Sequence, residues 1–337
     1  MMVVVTGATG HIGANLVRTL IAAGRPTRSL VHISHRAIEG LDTEIVRGDI
    51  CDRDSLCRAF QGAGVVYHLA ASISLFMDEW PRLEAVNVIG TRNVVEACLR
   101  CGVRRLVHFS SIHALVQEPM HTLVDESRLL VDSRRCPPYD RSKAAAEREV
   151  QRGIEQGLDA VIINPTAILG PYDYQLSYFG DALLAMAHRK LPALVTGGFD
   201  WVDVRDVVVG AMRAEERAPT GARYLLSGHW VSMCEIADMV AEITGVSCSR
   251  PVFPLWLARL GVPVVTALGR LNGKRPLYTS VSLRALRSNR NISHARATRE
   301  LGYQPRPFRE TLRDTLRWFK DNGQLTGVVG TDAKELL

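Results

Sequence analysis

The chain has 337 residues, of which 47% are hydrophobic and 23% are charged, and its formal net charge is +6. These are ordinary values for a globular protein, and the length allows one large domain or two lobes that share a core. Apart from short clusters, the basic residues are scattered rather than gathered into a stripe, which argues against a nucleic-acid-binding protein.

Short apolar runs alternate with segments of helical periodicity through the first half of the chain. Six of these runs predict buried strands, at residues 2–6, 26–33, 43–48, 64–70, 104–111 and 159–165. Nearly continuous Val, Ile and Leu runs are typical of strands buried on both faces of a parallel sheet that helices cover. Their alternation with helices predicts an α/β protein with a doubly wound, parallel-sheet Rossmann fold.

The loop between the first strand and the first helix has the sequence TGATGHIG at 6–13, with Gly7, Gly10 and Gly13. Glycines there allow a tight turn and let a pyrophosphate approach the positive N-terminus of the helix. The motif therefore predicts a dinucleotide cofactor and no nucleic-acid partner.

The segment after the second strand bears on which dinucleotide binds. It contains His32 and Arg36, and no carboxylate precedes Glu39, so a 2′-phosphate would be tolerated and NADP is preferred over NAD. Arg36 as a plain surface residue is the alternative. Asp49, after the third strand, is predicted either to accept the adenine amino group or to cap the next helix, for which Asp52 is the better cap.

The pattern changes after the sixth strand. Residues 166–198 are rich in aromatic residues, glycine and proline, 199–228 resembles a return to the main sheet, and the chain is mostly helical from 229. We predict an NAD(P)-binding Rossmann domain from 1–165 and 199–228. A smaller, mostly helical substrate-binding lobe then comprises 166–198 and 229–337, above the carboxyl ends of the strands.

Cysteines and apolar runs set further expectations. Cys98 and Cys101 have a metal-site spacing but no second pair, so we expect no metal. The odd count of seven cysteines and an N-terminus that enters a strand directly predict a cytoplasmic location. The apolar segment 251–268 contains prolines and Arg259, which excludes a membrane span. It is predicted to be core of the smaller lobe, with a lid or a membrane-surface contact as alternatives.

The ordered motifs resemble the extended short-chain dehydrogenase/reductases over nearly the whole chain. The similarity is carried by TGATGHIG, GDICD, VVYHLAA, VNVIGTRNVVEAC, VHFSSI, YDRSK, INPTAILGPYD and WVDVRDV. The resemblance implies Tyr139 and Lys143 as the catalytic pair, Ser111 rather than Ser110 as the catalytic hydroxyl, and Asn87 as part of the relay behind the lysine. Tyr139 and Lys143 stand four residues apart, so they share a helix face, and the cation is expected to lower the pKa of the phenol.

The same resemblance implies the remaining site residues. The cofactor is expected to contact Gly7, Thr9, Gly10, His11, Ile12, Gly13, His32, Arg36, Asp49, Ile50, Leu69, Ala70, Ala71, Tyr139, Lys143, Pro165 and Thr166. Candidate substrate contacts are Ser72, Phe76, His113, Ile168, Tyr172 and Trp201, with Ile73, Leu75 and Phe179 as further apolar wall residues. Ordinary core packing is the alternative for the apolar residues, and a structural role is the alternative for His113. A homodimer through helices near 78–101 and 137–156 is also implied.

Three functions remain open. The stretch after Ser111 lacks both the acidic pair of sugar dehydratases and the Tyr-Gly of epimerases, so the chain resembles the dihydroflavonol-reductase and 3β-hydroxysteroid-dehydrogenase-like branch. The first function is therefore an NAD(P)-dependent oxidoreductase of a hydrophobic carbonyl or alcohol. The alternatives are a nucleotide-sugar epimerase with tightly bound NAD, and a non-catalytic dinucleotide sensor.

Overall fold

A computed structural model describes residues 1–191, 193–246, 250–271 and 278–325, except the side chains of 264–271. The described strands are Met2–Thr6 (β1), Thr27–Val31 (β2), Glu44–Arg47 (β3), Ala63–His68 (β4), Arg105–Phe109 (β5), Ala160–Pro165 (β6), Ala167–Leu169 (β7), Leu194–Val195 (β8), Gly198–Asp203 (β9), Arg223–Leu226 (β10), His229–Ser232 (β11) and Val252–Phe253 (β12).

The described α-helices are His11–Ala22 (α1), Arg53–Phe60 (α2), Trp80–Leu83 (α3), Gly90–Arg100 (α4), Pro138–Glu155 (α5), Tyr178–Ala187 (α6), Val204–Arg217 (α7), Met233–Thr244 (α8), Leu255–Leu271 (α9), Ser280–Ala285 (α10), Ala295–Leu301 (α11) and Phe308–Asp321 (α12). A π-helical segment, Glu84–Ile89, joins α3 to α4. Asp52 caps α2 and Asp203 caps α7 through side-chain hydrogen bonds to the backbone.

Seven parallel strands form the main sheet, in the order β3-β2-β1-β4-β5-β6-β10. Buried apolar side chains of α1 and α7, such as Leu16 and Val207, cover one face of this sheet. Those of α2, α4 and α5, such as Leu56, Val94 and Val150, cover the other. Helices on both faces of a parallel sheet confirm the predicted doubly wound fold, and all six predicted strands belong to it.

A second hydrophobic core lies around the small sheet β11-β9-β7 and helices α6, α8 and α12. The expectation that segment 199–228 returns to the main sheet is wrong for its first strand, because β9 pairs with β7 and β11. Only α7 and β10 of that segment join the main layers. The predicted division into two domains stays a prediction.

Helix α9 is only partly in that second core. Leu255, Ala258 and Val262 pack against it, whereas Trp256 and Leu260 are exposed. None of the helices in the described residues combines the length and the apolar composition that a membrane crossing requires. The predicted core segment 251–268 extends into residues whose side chains lie outside the described part of the chain.

Candidate active site

From β1 the chain continues to β2 and β3 on one side of β1, and it then returns to β4 on the other side. Ligands of open α/β sheets bind at such a switch point, at the carboxyl ends of the strands. The turns after β1, β4, β5 and β6 meet at this edge. They bring together Gly7, the turn 69–72, Ser111 and Thr166.

The glycine loop packs tightly against the turn after β4. A Cβ on Gly7 would lie 2.6 Å from the Ala70 nitrogen, and one on Gly13 would lie 2.1 Å from the Gly7 oxygen, so packing requires glycine at both positions. The Thr6 hydroxyl accepts hydrogen bonds from the backbone N–H groups of Leu69 and Ala70 at 3.2 and 3.3 Å.

Gly10 differs, because a Cβ there would meet only the Gly7 oxygen at 3.4 Å, an ordinary contact. Gly10 is the N-cap of α1 and offers no capping side chain, and the first turn carries no carboxylate. The N-terminus of this twelve-residue helix is thus bare backbone with a positive dipole end, including the predicted contacts at Ile12 and Gly13. These residues fit a pyrophosphate-bearing dinucleotide.

The side chains of two residues that were expected to contact the cofactor form hydrogen bonds with the segment 170–175. Nε2 of His11 lies 3.1 Å from the carbonyl oxygens of both Gly170 and Pro171. The Thr9 hydroxyl accepts a hydrogen bond from Nε2 of Gln175 at 3.1 Å. Their side chains therefore hold the segment 170–175 against the helix N-terminus, and the cofactor contact expected at Thr9 and His11 stays a prediction.

The residues expected near the adenosine are exposed. His32 and Arg36 both face solvent, and His32 Nε2 lies 3.5 Å from the Asp49 carboxylate. Asp49 also accepts a hydrogen bond from the backbone of Cys51 at 2.9 Å. Ile50 is buried and packs on Gly90. Arg36 is thus available to a 2′-phosphate, and the preference for NADP stays a prediction.

Ser111 and Tyr139 form the centre of the site. Ser111 follows β5 and Tyr139 lies in the first turn of α5, and the Ser111 hydroxyl is close enough to the phenol to lower the pKa of Tyr139. The Ser111 hydroxyl also accepts the backbone N–H of His113 at 3.2 Å, which fixes its orientation. The neighbouring Ser110 hydroxyl is buried and has no hydrogen-bond partner among the described residues. The structure thus brings Ser111, rather than Ser110, to Tyr139.

Lys143 lies one helical turn after Tyr139 and is 4% exposed. Its Nζ donates a hydrogen bond to the Phe109 carbonyl oxygen at 2.7 Å. Burial lowers the pKa of Lys143 to about 8, against the opposing effect of the Glu147 carboxylate. Burial raises the pKa of Tyr139 to about 12, although the Ser111 hydrogen bond opposes this rise. The expected lowering of the pKa of Tyr139 is wrong for this structure, because burial dominates.

A buried polar network lies behind this centre. The Glu147 carboxylate accepts hydrogen bonds from Arg223 at 2.6 and 3.1 Å and from Nδ2 of Asn164 at 2.6 Å. Asn164 Nδ2 also donates to the Ser111 carbonyl oxygen at 3.0 Å. Glu147 stands one turn beyond Lys143 on α5, so one network touches both the backbone of Ser111 and the surroundings of Lys143. Sequence reasoning missed these three residues, although the spacing from Lys143 to Glu147 was visible.

Asn87 lies in the π-helical segment, a rare geometry that often occurs at functional sites. Its side chain accepts the Ser72 backbone N–H at 2.7 Å and donates to the Ser72 carbonyl oxygen at 2.9 Å. It also donates to the Ser142 hydroxyl at 2.9 Å, which in turn donates to the Tyr139 carbonyl oxygen at 2.8 Å. Asn87 therefore joins the turn after β4 to α5, and its predicted role in a relay stays a prediction.

The predicted substrate residues divide into two groups. Ser72, Phe76, His113 and Ile168 are half-buried. His113 Nδ1 lies 3.4 Å from the Asp140 carboxylate, and its ring is 6.0 Å from that of Tyr139. These four partly exposed side chains stay predicted substrate contacts.

Tyr172 and Trp201 form the second group. The Tyr172 ring stacks against Tyr174 and lies 4.4 Å from the Arg18 guanidinium. Trp201 is 4% exposed, packs against Phe179 and donates a hydrogen bond to the Val231 carbonyl oxygen. Both rings serve packing, so we leave them out of the proposed substrate site.

The remaining predicted residues lie at the edges of the site. Pro165 ends β6 and is buried beside β10, and the Thr166 hydroxyl donates to the Asp200 carboxylate at 2.7 Å. Ala71 is exposed in the turn after β4. Within the described residues, no group of three or more His, Cys, Asp or Glu side chains could hold a metal ion.

Comparisons with known proteins agree with this geometry. A model of the NAD-dependent epimerase/dehydratase family matches residues 3–226. Sterol demethylase protein B of Methylococcus capsulatus is 35% identical, over 96% of this chain and 100% of that protein. A putative dihydroflavonol 4-reductase of Synechocystis is 32% identical, over 95% and 94%. The crystal structure of gox2253, 33% identical, superimposes with a TM-score of 0.84 over 96% of this chain and 99% of that one.

The chain therefore belongs to the NAD-dependent epimerase/dehydratase family, within the extended short-chain dehydrogenase/reductases, and it is an enzyme of that type. Because the family is NAD-dependent, the enzyme uses a nicotinamide dinucleotide.

Proposed function

We propose that this enzyme transfers a hydride between NADP or NAD and the carbonyl or alcohol of a small hydrophobic or ring-bearing substrate, with Tyr139 as general acid or base. The observation that carries the proposal is that Ser111, Tyr139 and the buried Lys143 lie together at the carboxyl-end edge of the sheet, next to its switch point. The non-catalytic sensor is disfavoured because all three side chains are retained.

The nicotinamide supplies or accepts the hydride when it is bound, and the protein manages the proton. In reduction, the Tyr139 phenol gives its proton to the substrate oxygen as that oxygen gains charge. A pKa of about 12 keeps the phenol protonated at neutral pH, as a general acid requires. The Ser111 hydroxyl donates a hydrogen bond to the same oxygen and stabilises its developing charge. In the oxidative direction the positive charge of Lys143, one helical turn from Tyr139, would have to act against the burial that disfavours the phenolate.

Two observations support the proposed substrate class. The turn after β4 presents Ile73 and Met77 to solvent, each about half exposed, beside the half-buried Leu75 and Phe76. Such a wall suits an apolar ring better than a sugar. The names of the relatives, a sterol demethylase protein and a dihydroflavonol reductase, point to ring-bearing compounds as well.

A nucleotide-sugar epimerase remains the second candidate. A cavity of about 480 Å³ is lined by Arg287 and Arg290 together with Trp230 and Leu255. Two guanidinium groups beside an aromatic ring would suit the diphosphate and base of a nucleotide. An epimerase recycles its cofactor, so it consumes no free nicotinamide dinucleotide.

The deciding experiment follows nicotinamide absorbance with NADPH or NADH and a panel of ring-bearing ketones, with nucleotide-sugars in parallel wells. We expect steady cofactor consumption with a ring-bearing carbonyl. In Tyr139→Phe, cofactor binding should be retained while turnover falls by about 10²-fold or more, the usual contribution of a general acid. Nucleotide-sugar isomers without net cofactor consumption would favour the epimerase, and substantial turnover in Tyr139→Phe would remove Tyr139 from the reaction.

We also propose a homodimer that packs through α3, α4 and α5, by analogy with the extended short-chain dehydrogenases/reductases. Sedimentation velocity tests this assembly, and a monomer at assay concentration would reject it.

A further inference from the structure

An apolar surface lies at the start of α9 and on the strand before it. Trp256 and Leu260 are 66% and 70% exposed, and Leu257, Phe253 and Val252 are also exposed. Trp256 and Leu260 stand four residues apart, so they share one side of the helix. These five side chains are called the α9 face below. Single exposed apolar residues are normal, but a contiguous group that includes a tryptophan marks an interaction surface.

The sequence stretch that contains the α9 face carries charged residues of one sign only. From residue 243 to 299 the sequence contains no Asp or Glu and ten Arg or Lys residues. The whole chain has a net charge of only +6, so the rest of the chain is net negative. Arg259 is exposed between Trp256 and Leu260. Arg287 and Arg290 are exposed around the cavity that also reaches Leu255, the first residue of α9.

We propose that the α9 face binds the surface of an anionic phospholipid bilayer, without crossing it. Apolar side chains of a helix enter the boundary between headgroups and acyl chains, and flanking cations attract anionic headgroups. Tryptophan is the residue that prefers this boundary, because its ring is apolar and its N–H is polar. Arginine stems extend along the apolar surface while the guanidinium reaches the headgroups.

The same charges argue against a second copy of the chain as the occupant. Two copies that meet through this face about a twofold axis would place the same stretch opposite itself. The exposed Arg259 of each copy would then lie in the same contact, and the stretch 243–299 contains no carboxylate that could pair with it. An anionic lipid surface supplies the missing negative charge.

The test is co-sedimentation of the full chain with lipid vesicles, without substrate, so its outcome does not depend on the proposed reaction. One set of vesicles is phosphatidylcholine alone, and the other contains phosphatidylglycerol as an anionic component. We expect binding to the anionic vesicles, weaker binding to the neutral ones, and further weakening with added salt. Trp256→Gln with Leu260→Gln should reduce binding about tenfold or more.

Ile45→Gln is the matched control, since Ile45 is an exposed apolar residue on β3 of the main sheet and outside the α9 face. It should bind vesicles as the unchanged chain does. Arg259→Glu should weaken binding to anionic vesicles more than to neutral ones. All these side chains are exposed, so the variants should keep the thermal midpoint and the turnover of a water-soluble carbonyl.

Several results would overturn the proposal. One is no binding to either vesicle type. Another is equal binding to neutral and anionic vesicles, which would remove the charge argument. A dimer that the double variant dissociates, without vesicle binding, would make a second copy the occupant. A loss of turnover of the soluble substrate in the double variant, again without vesicle binding, would make α9 a lid.

Discussion

Replacing Glu147 by glutamine should change the pH dependence of the reaction. Glu147 is 1% exposed and stands four residues after Lys143 on the same face of α5. Its charge raises the pKa of Lys143, which burial has lowered to about 8. Glutamine keeps the shape and one acceptor oxygen for Asn164 or Arg223 but removes the charge. The variant should therefore have a lower pKa at Lys143.

The magnitude follows from the spacing. Charges about 6 Å apart on one helix face interact by about 3 kcal/mol at an effective dielectric constant of about 20. That energy corresponds to a change of about 2 in pKa. Arg223 lies 2.6 Å from the Glu147 carboxylate, and its positive charge offsets part of the effect of that carboxylate on Lys143. We expect the pKa of Lys143 to fall by about 1 in the variant.

The assay is kcat/KM for carbonyl reduction between about pH 6 and pH 10, which reports groups of the free enzyme. If the reaction needs protonated Lys143, kcat/KM of the unchanged enzyme falls as pH rises through about 8. In Glu147→Gln the same fall should begin about one pH unit lower, since less positive charge is retained at each pH.

The control is Glu149→Gln on the same helix. Glu149 is also buried and accepts hydrogen bonds from Arg92 and Arg152. Removing one partner of a buried ion pair costs about 3–5 kcal/mol, and exposure of the arginines brings both variants to the lower end of that range. Glu149→Gln should lose stability without moving the pH profile. An unchanged profile in Glu147→Gln, or equal displacement in both variants, would refute the reasoning.

Two further substitutions test the site. Ser111→Ala should lower kcat by about 10²–10³-fold, the usual effect of removing one donor to a developing oxyanion, whereas Ser110→Ala should leave kcat nearly unchanged; steady-state rates of the two decide, and equal losses would contradict the choice of Ser111. Arg36→Ala should weaken NADPH binding about tenfold or more and NADH binding much less, because a charge-assisted hydrogen bond to the 2′-phosphate is lost. Fluorescence titration with both cofactors measures this difference, and equal losses would mean that Arg36 does not read the phosphate.

The main sheet could be predicted from the sequence because its signals are local. Each strand is a short apolar run, and the glycine loop lies directly between β1 and α1. Gly7 and Gly13 are found from the spacing of the motif, although Gly7 packs against the turn after β4, which is distant in the chain. The pair Tyr139 and Lys143 needs only helical spacing. The signals that reveal these features lie between neighbours in the chain, so a pattern is enough to find them.

The smaller core was harder to predict because its contacts join distant segments. Trp201 and Phe179 are aromatic and lie in or directly after the segment 166–198, which was expected to form part of the smaller lobe. The sequence therefore suggested that they line the substrate pocket. In the structure they pack against each other and against Phe199 and Phe308. An aromatic residue that lines a pocket and one that fills a core have the same local pattern. Only the pairing of β9 with β7 and β11 separates the two cases.

The charges around Lys143 connect the buried network of Glu147, Asn164 and Arg223 to the proposed reaction. His68 and His108 lie on the sheet beneath Lys143, and burial lowers the pKa of His68 to about 3 and that of His108 well below its ordinary value. Both rings are therefore neutral near pH 7, so neither adds a second positive charge beside Lys143. Glu147 is the carboxylate whose charge favours protonated Lys143, and its own charge is held by Arg223. The ammonium of Lys143, which the proposed reaction requires, thus depends on Glu147 and, through Arg223, on β10, and the Glu147→Gln profile measures the dependence on Glu147.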